Sequence, residues 1–395
     1  MVDGSKIFSS GISQETDALH AVEDLALKVK GDLKGRSCDA AILFVSEDYR
    51  QDHPEYLVGA FRDLTAANLL IGCNACGVIC NHEEIEKAPA IGVLAMHLPD
   101  VKFYPFTFTD FEIGTIQSSA NFMDYLDLYP SDHPKFLCFA NPMNCDVMKL
   151  LRLFNETYPG CPVSGGLASA NVLGVPNWLC LNEDICLEGA VGVGFGGDIS
   201  FEMIVSQGCR PVGEPWVITK AEGNILLELA NQPALHILHG VINKLPPAEQ
   251  ALAERSIFIG IARDELSVRM QKGDFLIRNI IGADEHSGAL AVGEILESGQ
   301  TVQFHLRDAK ASREDLQARL KQCPRSEPSR NEGALLANCL GRGRTLYDAP
   351  HHDAQIIQSV RGPLPLTGFF SNGEFGLIGK TNYLHGYTSS LTLIY

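Results

Sequence analysis

Apolar and polar positions fall into the same order three times along this chain. Ahead of the first copy, Ala18, Val22, Leu25, Ala26 and Val29 make one stripe, which predicts a helix capped by Ser13 and ended by Gly31 and Gly35. The first copy opens with an apolar strand, Ala40 to Val45. A helix over about 54–68 follows, with Leu57, Ala60, Phe61 and Leu64 on one face and Pro54 in its first turn. Next come a strand and turn, LLIGCNACGVI (69–79), and strands at 90–97 and 101–108. The second copy has a strand at 136–140 and a helix carrying Val147, Leu150, Leu151 and Phe154. Its turn is CPVSGGLASA (161–170), with strands near 178–181 and 189–205. The third, looser copy has GALLANCL (333–340), a helix near 354–360, the turn PLTGFFSNGEFG (365–376) and a last strand at 386–394. A β-α-β-β-β unit is thus predicted three times, alike in pattern and not in residues.

Different material separates the second and third copies. Residues 207–223 hold two prolines and three glycines and read as a boundary. Helices are predicted at 224–229, 234–245 and from Ala248, and strands at 257–262, 275–282, 289–294 and 301–306. Ser312 to Asp315 reads as a capping box, and 323–332 as a polar surface loop. Strict strand–helix alternation is missing, which argues against a parallel doubly wound sheet. The expectation is an α+β fold: mixed, largely antiparallel sheets with packed helices, in two domains, 1–210 and 211–395.

Composition narrows the function. At 45% apolar and 20% charged residues over 395 positions, the chain is folded and long enough for more than one core. A net charge of −17 argues against nucleic acid or anionic lipid as the main partner, since phosphate binding needs a basic face. No apolar run approaches the ~20 residues of a membrane helix, and the acidic N-terminal segment has no signal-peptide pattern. A cytoplasmic protein is expected, with its twelve cysteines as free thiols.

Single motifs say less. Gly192, Gly194 and Gly197 fit the spacing of a dinucleotide loop, but the next residues alternate like a strand and offer no helix N-terminus. Cys73, Cys76 and Cys80 have metal-like spacing, yet strand alternation points Cys73 and Cys76 apart, so packed thiols are the expectation. His236 and His239, and His351-His352-Asp353, lack further ligands at signature spacing. No metal, cofactor or catalytic set is assigned. Arg307 at a strand end reads as an ion-pair partner or as an anchor for a ligand carboxylate. Gly341, Arg342 and Gly343 form a turn that lets backbone approach a ligand beside a positive charge. In Asn372-Gly373-Glu374, the glutamate is a solvated turn charge or the receiver of a ligand amine.

Several of these segments, in order, resemble the FIST family of small-ligand-binding sensory domains. GCNACGVI is similar to the family's GCSTAGEI turn, with Val78 in place of the usual acidic residue. CPVSGGLAS, the stretch from Ser206 to Leu226, FHLRD, GALLANCLGRG, PLTGFFSNGEFG and LHGYTSSL resemble successive further motifs. The resemblance implies a sensor that binds a small polar metabolite, with amino acids and related compounds as the class. The turns at Cys73-Asn74, Gly165-Gly166, Gly341-Arg342-Gly343 and Asn372-Gly373-Glu374 would line its site, with Arg307 as anion anchor. With no output segment before Tyr395, signalling through a separate protein partner is expected. The alternatives are a protein-interaction module, and an enzyme using Cys73 or Cys339 as nucleophile.

Overall fold

The computed structural model describes residues 5–49, 53–170, 174–263, 274–323 and 331–395. They divide into two compact units, one of 1–205, 316–384 and 388–395, the other of 206–315 and 385–387. The chain enters the second unit at Ser206, close to the composition boundary, and returns to the first at Leu316. Most of the polar loop read at 323–332 lies outside the described residues. No described helix is long and apolar enough to cross a membrane.

The repeat is longer than its sequence pattern. Copy one runs β1 (Ile7–Ser13), α1 (Ala18–Leu33), β2 (Ala40–Ser46), α2 (Pro54–Thr65), β3 (Leu70–Ala75), β4 (Gly77–Cys80), β5 (Glu83–Glu86) and β6 (Ile91–His97). Copy two runs β7 (Val101–Phe108), α3 (Asp110–Thr115), α4 (Ser119–Leu126), β8 (Lys135–Ala140), α5 (Val147–Thr157), β9 (Val163–Leu167), β10 (Leu179–Leu181), β11 (Asp184–Cys186) and β12 (Ala190–Gly197). Copy three opens with β13 (Phe201–Gln207). The second unit is inserted there, with β14 (Cys209–Glu222), β15 (Ile225–Leu229), β16 (Gln232–Pro233), α6 (Ala234–Asn243), α7 (Pro247–Ser256), β17 (Ile257–Ala262), β18 (Phe275–Asp284), β19 (Ala289–Val292) and β20 (Thr301–Arg307). Copy three resumes with α8 (Ala309–Gln322), β21 (Gly333–Cys339), α9 (Gly343–Tyr347), α10 (His352–Arg361), β22 (Leu366–Ser371), β23 (Glu374–Ile378), β24 (Thr381–His385) and β25 (Thr388–Ile394).

Three six-stranded sheets share one order: β1-β6-β2-β3-β10-β11, β7-β12-β8-β9-β23-β24 and β13-β25-β21-β22-β4-β5. The pairs β2–β3, β8–β9 and β21–β22 are parallel, the first two joined through one helix and the third through α9 and α10. Their flanking pairs are antiparallel. Each copy gives away a hairpin. Copy one's β4–β5 completes the third sheet, copy two's β10–β11 the first, and copy three's β23–β24 the second. The exchange closes in a cycle, so no copy completes a sheet alone.

The turn glycines explain how strands this apolar pack so tightly. Gly72, Gly165 and Gly368 stand opposite Leu43, Cys138 and Leu336 in the three parallel pairs. A Cβ there would lie 1.8, 2.1 and 2.2 Å from those residues' carbonyl oxygens. One position further, Phe44 and Phe139 project into the shared core. Copy three has Ala337 at that place, and Phe369 on the neighbouring strand fills the gap. The three rings meet with centroids 4.5, 5.4 and 5.7 Å apart. The second unit is a seven-stranded sheet, β14-β20-β17-β18-β19-β15-β16, with Leu235, Ile237, Leu238 and Val241 of α6 in its core.

Several local expectations are corrected. Ser13 ends β1, and Asp17 caps α1 by accepting from the His20 amide. The strand at 101–108 begins copy two, paired with β12. Residues 225–229 form a strand and not a helix, because so short an apolar run carries no distinguishing period. The boundary segment is strand β14, which pairs with β20 over 209–217 and with β15 over 218–222; both prolines fall in the first part, Pro215 within the register shift between Val212 and Trp216. Asp308 accepts from the Ala311 amide at the start of α8, and Ser312 lies inside that helix. Gly192, Gly194 and Gly197 belong to β12, a strand.

Candidate ligand-binding site

The turns of the first unit converge, but many of their polar groups are spent on structure. Cys73 is fully buried in β3, and burial pushes its thiol well above the usual range. Asn74 donates to Pro176 O (2.9 Å) and accepts from the Trp178 amide (2.8 Å), fastening the approach to β10. Gly165 and Gly166 lie in β9, and Glu374 is registered against Gly166. A Cβ on Gly166 would stand 2.5 Å from Gly373 O. The Asn372 amide donates to Leu167 O (3.1 Å) and the Leu167 amide to Gly373 O (2.9 Å), so the turns of copies two and three are laced together.

Arg342 and Glu374 are wholly buried. Arg342 Nε and Nη2 donate to Asp353 (2.7 and 3.2 Å), and Nη2 also to the Tyr347 hydroxyl (2.7 Å). Burial would raise the Asp353 carboxyl, but Arg342 and His352 beside it hold it well below the usual range. Asn338 Nδ2 adds a bond to the same carboxylate (3.1 Å). Glu374 Oε2 accepts from the Thr388 amide (3.2 Å), and burial pushes its carboxyl well above the usual range. Four atoms of this row have no hydrogen-bond partner among the described residues: Asn338 Oδ1, Arg342 Nη1, Glu374 Oε1 and Ser389 Oγ. Buried polar atoms are nearly always paired, so their gathering marks a place built for more than packing.

Beside this row a pocket of about 250 Å³ opens in the same unit. Its wall is β5, the hairpin strand given by copy one, with Glu83, Glu84 and Glu86. Copy three contributes Arg344 from α9 and His351 from the start of α10. It lies along the edge strand β5, beside the segment that follows β21. Glu84 is 1% exposed; its Oε1 accepts from the Ala354 amide (2.8 Å), while Oε2 has no partner. Burial, and then the Asp353 charge, push the Glu84 carboxyl up to about 8. The Glu84 amide donates to His351 Nδ1 (2.8 Å). Glu86 Oε1 accepts from the Arg344 amide (3.0 Å). Gly343 permits that approach: at φ 57° it suits glycine, and a Cβ would stand 2.6 Å from Glu86 Oε1. The exposed Arg344 guanidinium has no ion-pair partner among the described residues.

None of the residues expected from the sequence to line a site, Gly341 and Arg342 included, lines this pocket; Arg342 is linked to it only through Asp353, whose charge acts on Glu84. The available signal is Glu-Glu-Ile-Glu at 83–86, where period two sets Glu84 and Glu86 on one face. Arg344, two residues beyond Arg342, is the other.

The remaining candidates are engaged elsewhere. Arg307 belongs to the second unit, where its guanidinium carbon lies 5.1 Å from the Tyr387 ring centroid and 5.9 Å from that of Phe258. His352 stacks on Tyr347 (3.4 Å between centroids) and bonds Asp353 (3.1 Å). Among the described residues, no three His, Cys, Asp or Glu side chains gather as a metal set. All twelve cysteines are free. Burial raises the Cys76 thiol to about 11 and Cys80 to about 12, which opposes nucleophilic use.

Comparison with known proteins identifies the family, whose two domain models meet inside the second unit. The FIST N domain model matches residues 39–232, and the FIST C domain model matches 234–377. An uncharacterized protein of Mycobacterium tuberculosis is 34% identical over 383 residues, covering 97% of this chain and 98% of its own. One of Mycobacterium bovis is 32% identical over 384 residues, covering 97% of each. The chain belongs to the FIST family, whose domains are sensory, ligand-binding domains.

Proposed function

We propose that this protein is a cytoplasmic sensor that takes a small polar metabolite of amino-acid type into the β5–α9–α10 pocket and reports it to a separate protein partner. The observation that carries this reading is Glu84, a nearly inaccessible carboxyl that lines the pocket and has one oxygen without a partner. A volume of about 250 Å³ lies just below the ~300–1,000 Å³ of clefts for drug-sized ligands, which suits a metabolite. Arg342 holds Asp353, whose charge acts on Glu84, and Gly343 lets Glu86 approach the Arg344 amide. Twelve free thiols suit a reducing cytoplasm. The test is thermal unfolding against amino acids, organic acids and nucleotides. A ligand at 100 times its dissociation constant adds about 2.7 kcal/mol. A shift with one chemical class, lost in Arg344→Ala, supports the reading. No shift with any class overturns it.

A further inference from the structure

The charge balance of the pocket says more about its occupant than its size does. Glu84 and Glu86, on one face of β5, line the pocket with a single guanidinium, Arg344, while Glu83 at its edge lies 3.9 Å from His82. His351 adds no positive charge in this geometry, because its Nδ1 accepts the Glu84 amide proton. An ordinary zwitterion would match Arg344 and Glu86 and leave the buried Glu84 Oε2 without a partner, which is costly. The buried Arg342 cannot compensate them, since Asp353 already holds it. Glu84 is the most buried of the glutamates, and its Oε2, buried too, has no hydrogen-bond partner among the described residues. Oε1 is anchored to the first turn of α10, which fixes the carboxyl plane.

Resting on the reading above, we propose that the ligand is a basic zwitterion of net charge +1: its carboxylate pairs with Arg344, and its two cationic groups meet the glutamates, one of them at Glu84 Oε2. The groups that face Glu84 are Asp353 and His351 on and before α10, Glu83 and Glu86 on β5, and Arg344 on α9, with Arg342 and His352 behind Asp353. Burial first, and then the charges of Asp353 and Glu86, keep a proton on Glu84 in the empty pocket at neutral pH. A cation at Oε2 favours the ionised form, so binding releases that proton to solvent.

Titration calorimetry of the full chain at pH 7 tests this with L-lysine, L-norleucine, 1,5-diaminopentane and L-glutamate. Norleucine has the lysine skeleton without the second amine. Lysine should bind about 10- to 100-fold more tightly than norleucine, the value of a charged hydrogen bond. L-glutamate should not bind. Diaminopentane should bind more weakly than lysine and should not respond to Arg344→Ala, which weakens lysine. Repeating the lysine titration in two buffers of different ionisation enthalpy should show close to one proton released. Glu84→Gln keeps the oxygen that caps α10, so it should fold, weaken lysine and abolish the proton release. Equal binding of norleucine and lysine overturns the inference and leaves the metabolite reading standing. So does lysine binding whose proton release survives Glu84→Gln. Silence from all four compounds overturns the inference, and the metabolite reading falls with it only if the wider panel is silent too.

Discussion

The carboxyl ends of two parallel pairs, β2–β3 in copy one and β21–β22 in copy three, are built on one plan and finished differently. In copy one the space among Glu47, Tyr49, Asn74 and Trp178 shrinks to about 10 Å³, room for one water at most. Asn74 has donors and acceptors matched to the backbone around Trp178. In copy three that place is filled by Asn338, Arg342 and Glu374, which are buried and incompletely paired, and the pocket of about 250 Å³ lies beside it along β5. Val78 and Glu374 hold corresponding hairpin positions, one opposite Phe369 and the other opposite Gly166. A threefold plan lets two copies carry the architecture while one departs from good packing, and that departure is where the proposed ligand would sit.

The largest effect expected from breaking this contrast is at Asp353. Asp353→Ala leaves the Arg342 guanidinium buried without its counter-ion, which costs about 3–5 kcal/mol. Chemical denaturation should show it. The paired replacement of Arg342 by Met and Asp353 by Leu should recover part of the loss, because well-packed apolar groups need no counter-charge. Copy one should respond less. Asn74→Ala strands the Trp178 amide and Pro176 carbonyl, a loss of about 1–3 kcal/mol, with no charge left bare. If Asn74→Ala is the more damaging, charge is not what distinguishes the two strand ends.

A third test uses pH. The Glu84 carboxyl is raised to about 8 in the folded protein, so folded protein holds a proton that unfolded chain has lost. Its contribution is fully present below the unfolded carboxyl range and is lost as pH rises through about 8. Within that window wild type should lose stability relative to Glu84→Gln by up to about 1.4 kcal/mol per pH unit. Asp353 titrates in the opposite sense, well below that window, so the two are separable. Parallel stability curves for wild type and Glu84→Gln would remove Glu84 from the account.

What can be read from the chain follows from the range of the interactions. The strand–helix–strand core of each copy is legible because its period is local and its Gly72, Gly165 and Gly368 sit in recognisable turns. The hairpin exchange is not, since Val78 finds Phe369 only through the closed cycle of sheets. Arg342 and Glu374 stand out in glycine-rich turns, but nothing local tells that they are buried. Glu84 hides in a run of glutamates that looks solvated. Its burial comes from α10 of another copy, whose Ala354 amide it caps.

The smallest expected effect concerns Arg307, the one predicted anchor outside the first unit. Its guanidinium stacks over Tyr387 and Phe258, whose ring centroids are 4.2 Å apart. Such cation–π contacts are worth about 0.5–2 kcal/mol, so Arg307→Ala should lower the unfolding midpoint of the second unit modestly. Arg307→Lys keeps the charge and loses the planar face, and should fall between. A ligand held by Glu84 and Arg344 should still raise the midpoint in both variants. Loss of that response in Arg307→Ala, with the fold intact by circular dichroism, would instead make Arg307 the anion anchor. The contrast between the two strand ends would then describe how the first unit is built and not where its ligand sits.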